Sequence, residues 1–553
     1  MPDPDESFNQ APPLSDINLY TSDPVLQEAV SREGAGWHAI VLAQQGDRLG
    51  QAATLHLADL ANRHPPQLIS EDALGQPVDR VDFDPAWTRL MEMLHADGVH
   101  SSAWLDPQPG AHVARAASFF LHGQAEAGSL CPVTMTFAAL PVLRREPALF
   151  STLTGHFASR DYDPRDIPLG AKRSVTIGMG MTEKQGGSDL RTNTTRANAL
   201  ATPGRGHEYA LEGRKWFFSA PTADAHLVLA RDDDGLSCFF VPRWRVDGTR
   251  NAVHIERLKD KLGNRSNASA EVEFRHAAGT LVGEPGRGIP TLIEMAAQTR
   301  LDCVLGSAAL MRRALIEAIH HARHRSAFGR PLIEQDLMRN VLADLALESE
   351  AATMLALHLA AAVDLDTGSA ADTETAAVAR AWRRIVTPAA KFWICKRAIA
   401  FTAECMEVWG GNGYVEDGPM ARLLREAPVN SIWEGSGNVM CLDVLRAFSR
   451  ESDSTALLIH KLAAVCATEP ALTHAMAAMI TLVRAPADVD WHARQVAMQL
   501  VLLAQASLLI RHAPTEVADT FIASRFAHPS GQVAGLLASP SLAQTLLNRA
   551  WPA

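Results

Sequence analysis

Residues 430–438 read Asn-Ser-Ile-Trp-Glu-Gly-Ser-Gly-Asn and place a single carboxylate, Glu434, behind Ile432 and Trp433 and in front of two glycines. An acid among large apolar groups is poorly solvated, and poor solvation raises the pKa of a carboxyl group until it can accept a proton near neutral pH. Glycines let a backbone approach a flat ligand or a phosphate. The stretch also fits an ordinary helix start, in which Glu434 is a first-turn acid favoured by the helix dipole. The two interpretations are compatible.

The size and composition of the chain indicate a soluble protein of three or four domains. It has 553 residues, of which 47% are hydrophobic and 20% charged, and its net charge is −11. A net negative charge argues against a protein that binds nucleic acid over most of its surface, but it is compatible with a local basic patch. Seven cysteines without a C-x-x-C pair are typical of reduced, buried thiols in a cytoplasmic protein and make a structural metal site improbable.

Targeting and membrane segments are not expected. The N-terminus is acidic and has no apolar core of the kind found in a secretory signal. The longest apolar candidate, residues 495–510, is shorter than the roughly 20 residues that a membrane helix needs.

Four segments follow from the change of hydrophobic pattern along the chain. Residues 1–172 predict an extended N-terminal arm and a helical domain, and residues 173–288 predict a β domain made of short strands separated by Gly and Asp turns. Residues 289–448 predict long amphipathic helices, with a kink expected at Pro388. Residues 449–553 predict a further helical domain.

Two motifs in the β segment can bind a ligand. Gly178–Asp189 joins a strand to a glycine-rich turn, and its exposed N–H groups and hydroxyls suit an anionic or hydrogen-bonding cofactor. It matches neither a P-loop nor a dinucleotide fingerprint, and such turns are often only turns. Lys215–Ser219 is an aromatic run on a predicted strand. Alternation places Trp216 or Phe218 in the core, with Phe217 and Ser219 together on the other face.

A third motif ends a long helix. Arg325 and Phe328 are followed by a helix-ending glycine, which fits either a phosphate clamp with a stacking ring or a plain C-cap. His320 and His324 stand at i, i+4 spacing, but no acidic partner accompanies them, so a solvated helix face is the simpler interpretation.

In this order the motifs resemble the acyl-CoA dehydrogenase flavoprotein family over roughly residues 40–448. The strings concerned are Thr182–Asp189, Lys215–Ser219, Arg325–Gly329, Gly410–Tyr414 and Trp433–Ser436. Longer strings, among them 260–267 and 428–438, together with the N-terminal arm and the C-terminal extension, are similar to the DNA alkylation-response (AidB-type) branch. The resemblance implies an α+β fold with an N-terminal helical domain, a central β-barrel or sandwich, a C-terminal four-helix bundle and an extra helical domain.

The same resemblance implies one FAD per subunit in a homotetramer. Residues along the flavin and its linker would be Met181, Thr182, Ser188, Phe217 and Ser219, completed by Ser436 and Asn438. The adenine-diphosphate half, usually that of a neighbouring subunit, would be bound by Arg325, Phe328, Gly410, Gly411 and Gly413. Glu434 would be the base that removes the α-proton of an acyl thioester. No metal is implied.

Four departures from the family pattern predict an altered pocket. Trp433 stands where tyrosine is common, Ser436 where threonine is common, Lys184-Gln185 where Pro-Gly is usual, and Asp336 where a glutamine is common. Our first hypothesis is therefore a cytoplasmic FAD protein that binds double-stranded DNA and protects it from alkylation, with weak acyl-CoA dehydrogenase activity at most. The alternatives are a metabolic dehydrogenase of a short branched acyl-CoA, such as isovaleryl-CoA, and a DNA-binding protein whose flavin is structural.

We expect the DNA to be bound by the C-terminal extension, which is the helical domain predicted for residues 449–553. From Arg446 to the C-terminus, eight cations face seven anions, and seven of the cations are arginines. Arginine suits bidentate phosphate contact, although charge alone favours a helical domain that merely packs on the body. Resemblance to the alkylation-response branch implies duplex DNA bound through its phosphates, with Arg446 and Arg525 as the contacts.

Overall fold

Helices account for most of the residues that the structure describes. The computed structural model describes residues 9–368, 372–484, 489–527 and 542–551, so the first eight residues of the predicted arm and three parts of the predicted extension (485–488, 528–541 and 552–553) lie outside it. In chain order the helices are α1 Pro24–Arg32, α2 Ala39–Gly50, α3 Ala52–Arg63, α4 Pro85–Ala96, α5 Ser102–Leu105, α6 Ala111–Ala125, α7 Leu130–Leu143, α8 Pro147–Ala158, α9 Gly288–His324, α10 Asp336–Thr367, α11 Thr373–Ala381, α12 Thr387–Val408, α13 Gly411–Tyr414, α14 Pro419–Asn430, α15 Gly437–Arg450, α16 Ser452–Cys466, α17 Pro470–Arg484, α18 Ala493–His512, α19 Thr515–Ile522 and α20 Ala543–Ala550.

The strands are fewer and fall mostly between residues 177 and 282. They are β1 Gln67–Glu71, β2 Pro77–Asp82, β3 Ile177–Gly180, β4 Arg196–Ala199, β5 Glu208–Ser219, β6 Ala225–Asp232, β7 Gly235–Pro242, β8 Val253–Leu258, β9 Ser269–Val282, β10 Ser326–Ala327 and β11 Arg330–Pro331. This mixture confirms the predicted α+β class.

The structure divides the chain differently from the four predicted segments. One compact unit combines Met1–Ala52, Gln108–Ala125 and Cys303–Ala553, and the other combines Ala53–Pro107 and Glu126–Asp302. The predicted boundaries at residues 172 and 448 therefore do not separate compact units. Burial, more than the local pattern of the sequence, decides which segments belong together.

The second unit is built around a closed β-barrel. Strands β6, β4, β5, β9 and β7 pair in that order, and β7 pairs again with β6, which closes the ring. Strand β3 runs parallel to β6, and β8 lies on β9. Tyr209, Leu211, Phe218, Phe239 and Phe274 pack inside. Closure leaves few free strand edges, which is how a small antiparallel sheet avoids pairing with other chains.

A hairpin that the sequence analysis did not predict belongs to the same unit. Strands β1 and β2 pair in antiparallel register, with Leu68 opposite Val81. Val81 is buried in the barrel core, and Leu68 packs against it. Segment 1–172 is thus not wholly helical, because its hairpin serves as a cover for the barrel.

In the first unit the predicted extension is part of the helical bundle. Helix α18 has one buried residue after another, among them Val496, Leu500 and Leu503, and it packs against α10, α12, α15 and α17. Ion pairs also join the end of the chain to its beginning, since Arg549 bonds to Glu28 and to the buried Glu350. Removal of the described part of the extension would expose a large apolar surface of the bundle.

The predicted kink near Pro388 lies just before that residue. A π-helical turn, Trp382–Val386, separates α11 from α12, and Pro388 lies in the first turn of α12. This placement is expected because the proline ring disturbs the turn that precedes it.

Two described helices, Asp336–Thr367 and Ala493–His512, are long and apolar enough to cross a membrane. Their most apolar windows are 94% and 72% buried inside the protein, as in the core helices of globular proteins. All seven cysteines are free and buried, in agreement with the expected reduced thiols.

A buried ion pair links strand β5 to the turn that follows β3. The Glu183 carboxylate lies 2.8 Å from the Lys215 ammonium, and both side chains are almost fully buried. Thr194 and Thr195 also donate to the carboxylate from their amides and hydroxyls. Burial raises the pKa of Glu183, but Lys215 and these donors outweigh it and lower the pKa to about 2.

Replacing Glu183 with Gln should destabilise the barrel, because the variant leaves the buried Lys215 ammonium without a counter-charge. We expect the free energy of unfolding to fall by about 3–5 kcal/mol. The folded carboxylate has a pKa of about 2, below its ordinary 4.5, so its contribution is complete above pH 4.5 and disappears as the pH falls toward 2. Urea denaturation at several pH values should therefore show the largest deficit above pH 4.5.

Asp82→Asn is the matched control for that measurement. It removes one partner of an ion pair with Arg80 that is exposed on the same unit, and such pairs contribute about 1 kcal/mol or less. Equal losses for the two variants would contradict the central role of the buried pair.

Candidate functional site

The predicted cofactor residues fall into two groups, one in each unit. The first group surrounds the turn after β3, where Met181 and Thr182 leave the strand. The Trp216 amide donates to the Thr182 carbonyl at 2.9 Å, and the Asn193 side chain donates to the Met181 carbonyl at 2.8 Å. Lys215, two residues along β5 from Phe217, bonds to Glu183 in the same turn. The structure thus brings Met181 and Thr182 beside β5.

A β-bulge in strand β5 changes which of its aromatic side chains face the core and which face outward. The pairing of β5 with β9 shifts between Lys215 and Phe218, and both of these side chains are fully buried. Trp216 and Phe217 lie between them, and Phe217 is 52% exposed. The predicted strict alternation is interrupted here, but its main consequence is confirmed, because Phe218 is in the core and Phe217 is outside. Ser219 ends the strand half-buried.

The turn from Glu183 to Asp189 folds back on Thr182. Glu183 and Gly186 form a short bridge, and a side chain at Gly187 would come within 3.0 Å of Thr182. Ser188 follows directly and is exposed. A larger residue at 187 would therefore have to displace the Thr182 side chain slightly.

In the other unit, Arg325 directly follows α9 and begins a tight loop. Phe328 lies at the tip, 99% exposed, with φ +53°. Left-handed backbone is costly for an aromatic residue, and such strain is concentrated at ligand and switch sites. Asn9 of the arm bonds to both the amide and the carbonyl of Ser326, and Arg325 donates to the Asn9 carbonyl.

The glycine turn at 410–413 lies next to the same arm segment. Asn412 donates to the Gln10 side chain at 3.2 Å. Gly410 has φ +60° and ψ −140°, a conformation that is essentially restricted to glycine. A side chain at Gly410 or Gly411 would meet nothing within 4 Å, so backbone is open to a ligand there, whereas Gly413 is packed against Met406 and Trp409.

The arm continues along α9 beyond these two turns. His320 contacts the Pro12 carbonyl at 2.8 Å and so joins α9 to the arm. Further along, Arg313 donates to the Leu14 carbonyl, and Arg312 pairs with Asp23. In the described ranges no cluster of three or more His, Cys, Asp or Glu could bind a metal.

Glu434 does not lie in the first turn of a helix. Ser436 is the N-cap residue and α15 begins at Gly437, so Glu434 precedes the cap. Its φ is +59°, and Gly435 follows with φ +104°. The predicted apolar enclosure is also absent from this chain by itself, because Ile432 is 64% exposed and Glu434 is half-buried. What distinguishes Glu434 is its backbone conformation.

A buried lysine fixes that conformation. Lys391 of α12 donates to the Trp433 carbonyl at 2.6 Å and to the Gly435 carbonyl, the two carbonyls on either side of residue 434. Left-handed backbone at a non-glycine residue costs about 1–2 kcal/mol, whereas one hydrogen bond to a charged group contributes about 1.5–3 kcal/mol. Two such bonds are enough to offset the strain at Glu434.

Residues on both sides of Glu434 are also tied to the bundle. The Trp433 indole donates to the Asn430 side chain, which in turn bonds to Ser307 on α9. Asn438 accepts from Arg494 of α18 at 2.8 Å. The extension therefore contributes directly to the segment that contains Ser436 and Asn438.

The two predicted DNA contacts differ sharply. Arg446 is exposed, and its guanidinium donates to Asp443 at 3.3 Å. The Arg525 side chain is only 9% exposed and donates to Asp344 at 2.6 Å, with Glu348 at 3.8 Å. The prediction for Arg525 is contradicted, because a guanidinium buried against carboxylates cannot reach a phosphate.

Sequence reasoning missed four residues that shape these turns: Glu183, Lys215, Lys391 and Asn9. A charged residue in an otherwise apolar run marked Lys215 and Lys391, but strict alternation would place Lys215 on the outer face with Phe217, and only the bulge in β5 turns it inward. Asn9 carried no local signal, because its partners are more than three hundred residues away.

The residues of each unit fit an adenine dinucleotide with a flat ring system. Phe217 offers an exposed aromatic face two residues before Ser219, and in the other unit Phe328 is exposed and side chains at Gly410 and Gly411 would meet nothing within 4 Å. Rings, hydroxyls and accessible backbone are the groups that bind such a ligand.

Three sequence profiles match the chain. "Adaptive response protein AidB N-terminal domain" covers residues 9–164, "Acyl-CoA dehydrogenase, middle domain" covers 178–277, and "Acyl-CoA dehydrogenase, C-terminal domain" covers 286–449.

Relatives of known name agree with the profiles. The chain is 51% identical over 93% of both lengths to "Putative acyl-CoA dehydrogenase AidB" of Escherichia coli, and 31% identical to "Acyl-CoA dehydrogenase family member 11" of Caenorhabditis elegans, over 78% of this chain and 71% of that protein. The crystal structure of C. elegans ACDH-11 in complex with C11-CoA superposes with a TM-score of 0.85 at 28% identity, covering 96% of this chain and 93% of that one.

The glycine turn allows a test that separates packing from ligand contact. An alanine at 413 would place its methyl group 2.4 Å from the Met406 carbonyl, so Gly413→Ala should lower the free energy of unfolding by about 1–3 kcal/mol. Gly411→Ala meets nothing within 4 Å and should change stability by less than about 0.5 kcal/mol.

The cofactor content of the purified variants then tests the predicted role of Gly411. If backbone at 411 approaches the cofactor, Gly411→Ala should lose FAD while keeping its thermal stability. A Gly411→Ala protein that retains full FAD content would remove that residue from the cofactor site.

Proposed function

The chain belongs to the acyl-CoA dehydrogenase family, in its AidB branch, and from that membership we propose that it oxidises the acyl chain of a CoA thioester with Glu434 as the base. As a member of this family it is an FAD-dependent oxidoreductase. The proposal concerns the substrate class and the roles of individual residues.

In the proposed reaction Glu434 takes the α-proton of the thioester onto its carboxylate. Bound FAD supplies the acceptor for the β-hydride, and the acyl chain leaves with a double bond between its α and β carbons. Glu434 must therefore be ionised and aimed at one carbon. Phe217 and Ser219 in one unit, and Arg325, Phe328 and the 410–413 turn in the other, are the proposed cofactor contacts.

The backbone of Glu434 is the observation that carries this proposal. A glutamate with φ +59°, followed by a glycine with φ +104° and braced on both sides by a buried ammonium, is strained for a specific orientation of its carboxylate. An ordinary helix-start acid needs no such arrangement. The C11-CoA bound to the C. elegans structure supports an acyl-CoA as the substrate class.

Self-association in the cytoplasm is part of the proposal. Phe328, Leu337 and Tyr414, all next to the proposed adenine-binding turns, are strongly exposed in the single chain, and a second copy would cover them. We propose a homotetramer that binds FAD through these residues. The buried, free thiols support a cytoplasmic location.

Binding of double-stranded DNA is a second proposed function, and the adaptive-response profile and the AidB relative favour it. On the extension, Arg450, Arg484 and Arg511 are exposed, and no acidic partner accompanies them in the described ranges. Each lies in the last turn of a helix, where a cation also stabilises the helix dipole. With Arg446 they give the extension a phosphate-binding surface through which the protein would shield DNA from alkylation.

Glu434→Gln tests the dehydrogenase proposal. The amide keeps the shape of the side chain but cannot accept the proton, so FAD content should be unchanged and flavin reduction should slow by about 100-fold or more. The measurement is anaerobic bleaching of the flavin after mixing with C11-CoA and, separately, isovaleryl-CoA. Preference for isovaleryl-CoA would favour the metabolic alternative.

Glu416→Gln is the matched control, since Glu416 is an exposed acid of the same unit that pairs with Arg425. It should reduce its flavin at the parent rate. Bleaching of Glu434→Gln at the parent rate would contradict the assignment of the base.

The DNA proposal is tested by exchanging Arg450, Arg484 and Arg511 for Gln together. Each lost phosphate contact should lower the slope of log K against log salt concentration by about 0.9, so affinity for duplex DNA should fall and depend less on salt. Fluorescence anisotropy with a labelled duplex at several salt concentrations measures both quantities.

The control exchanges three exposed arginines of the other unit, Arg80, Arg89 and Arg275, for Gln and so changes the net charge equally. An equal loss of affinity in both triple variants would indicate a general charge effect and contradict a site on the extension.

A further inference from the structure

Lys391 lies in α12 with none of its side chain exposed, and yet its two hydrogen-bond acceptors are neutral. Both acceptors are main-chain carbonyls, those of Trp433 and Gly435, so the ammonium group spans the turn formed by Glu434 and Gly435. An ammonium group removed from water is expensive unless its donors are satisfied. A neutral side chain of the same length, such as methionine, would fill this space without that cost.

We propose that Lys391 is a positioning residue for the carboxylate of Glu434, an inference that rests on the proposed role of Glu434 as the base. The Trp433 carbonyl lies on the peptide plane that enters Glu434, and the Gly435 carbonyl lies on the plane that leaves Gly435, so one ammonium group fixes both ends of the two-residue left-handed turn. With both ends fixed, the backbone of Glu434 keeps its conformation, which sets the direction of its Cα–Cβ bond and hence of its carboxylate. Without the ammonium group, the left-handed backbone at Glu434 can relax toward a negative φ.

The neighbours of Lys391 on α12, Phe392 and Lys396, contact the start of α15, which follows the turn at Glu434. A side chain at Gly437 would come within 3.2 Å of Phe392 and 3.0 Å of Lys396, so these two residues pack where α15 begins. Lys396 is half-exposed, and in the described ranges it makes no hydrogen bond to the carbonyls beside Glu434. The position of α15 is therefore supported by packing, whereas the conformation of Glu434 depends on Lys391.

The experiment compares Lys391→Met with Lys396→Met in the FAD-loaded protein. Both variants exchange an ammonium group for a thioether on the same helix, next to the same segment. Four quantities are measured: FAD content, hydrogen exchange of peptides that cover residues 432–440, the dissociation constant of C11-CoA, and the limiting rate of flavin reduction by C11-CoA at saturating concentration.

We expect Lys391→Met to keep its FAD and to bind C11-CoA within about twofold of the parent, because the ammonium group is buried and bonded to two backbone carbonyls. Hydrogen exchange at 432–440 should accelerate at least about tenfold, since the segment opens locally, while other peptides stay protected. The limiting rate should fall about 100-fold, as misplacement of a catalytic group by about 1 Å does. Lys396→Met should match the parent in all four.

The proposal is overturned if Lys391→Met retains both the parent exchange and the parent rate. It is also overturned if exchange accelerates throughout the protein and the rate falls only in proportion to lost FAD, because Lys391 then serves general stability. Should Lys391→Met fail to fold, Lys391→Gln is measured in its place, because its shorter amide cannot span both carbonyls. If the parent itself is not reduced by an acyl-CoA, the proposed function fails, and local hydrogen exchange still decides the role of Lys391.

Discussion

Burial of a positive charge is the constraint on which both groups of site residues depend. Lys215 and Lys391 are among the largest side chains that are wholly removed from water, and each must find acceptors within reach. Lys215 finds Glu183 and the Leu229 carbonyl, while Lys391 finds two carbonyls beside Glu434. Since an unsatisfied ammonium group would cost more than the strain of a turn, the backbone adapts to the lysine. In each unit this fixes a turn that regular secondary structure would leave free.

The sequence predicts the helices and strands well where an apolar pattern is long and is buried on one face. The barrel strands β5 to β9 and the long helices α9, α10 and α12 follow from such patterns. The β1–β2 hairpin does not, because most of its residues are exposed and its burial depends on barrel residues far along the chain. The candidate site shows the same division. Motifs predict which residues are there, but the left-handed backbone of Glu434 depends on Lys391, which lies on another helix.

The extension shows why net charge is a weak guide to a binding surface. Its arginines look equivalent in sequence, but Arg525 and Arg549 are engaged with carboxylates of the bundle, and Arg494 bonds to Asn438. Guanidinium groups satisfied inside a protein stabilise the packing of helices and contribute little to an external field. The surface available to a polyanion is therefore smaller than the count of cations suggests, and it can be identified only from exposure.

The contacts between the two ends of the chain also constrain the order in which it can fold. Asn9 bonds to Ser326, and Glu28 bonds to Arg549, which leaves the ribosome more than five hundred residues later. Contacts this distant in sequence form slowly, because a long loop must close before they contribute any stability. During synthesis the apolar residues of the arm stay uncovered until α9, and later α20, have been made. We infer that the helical unit completes its packing only after Ala543–Ala550 has been made, whereas the barrel unit, complete by Asp302, can fold earlier.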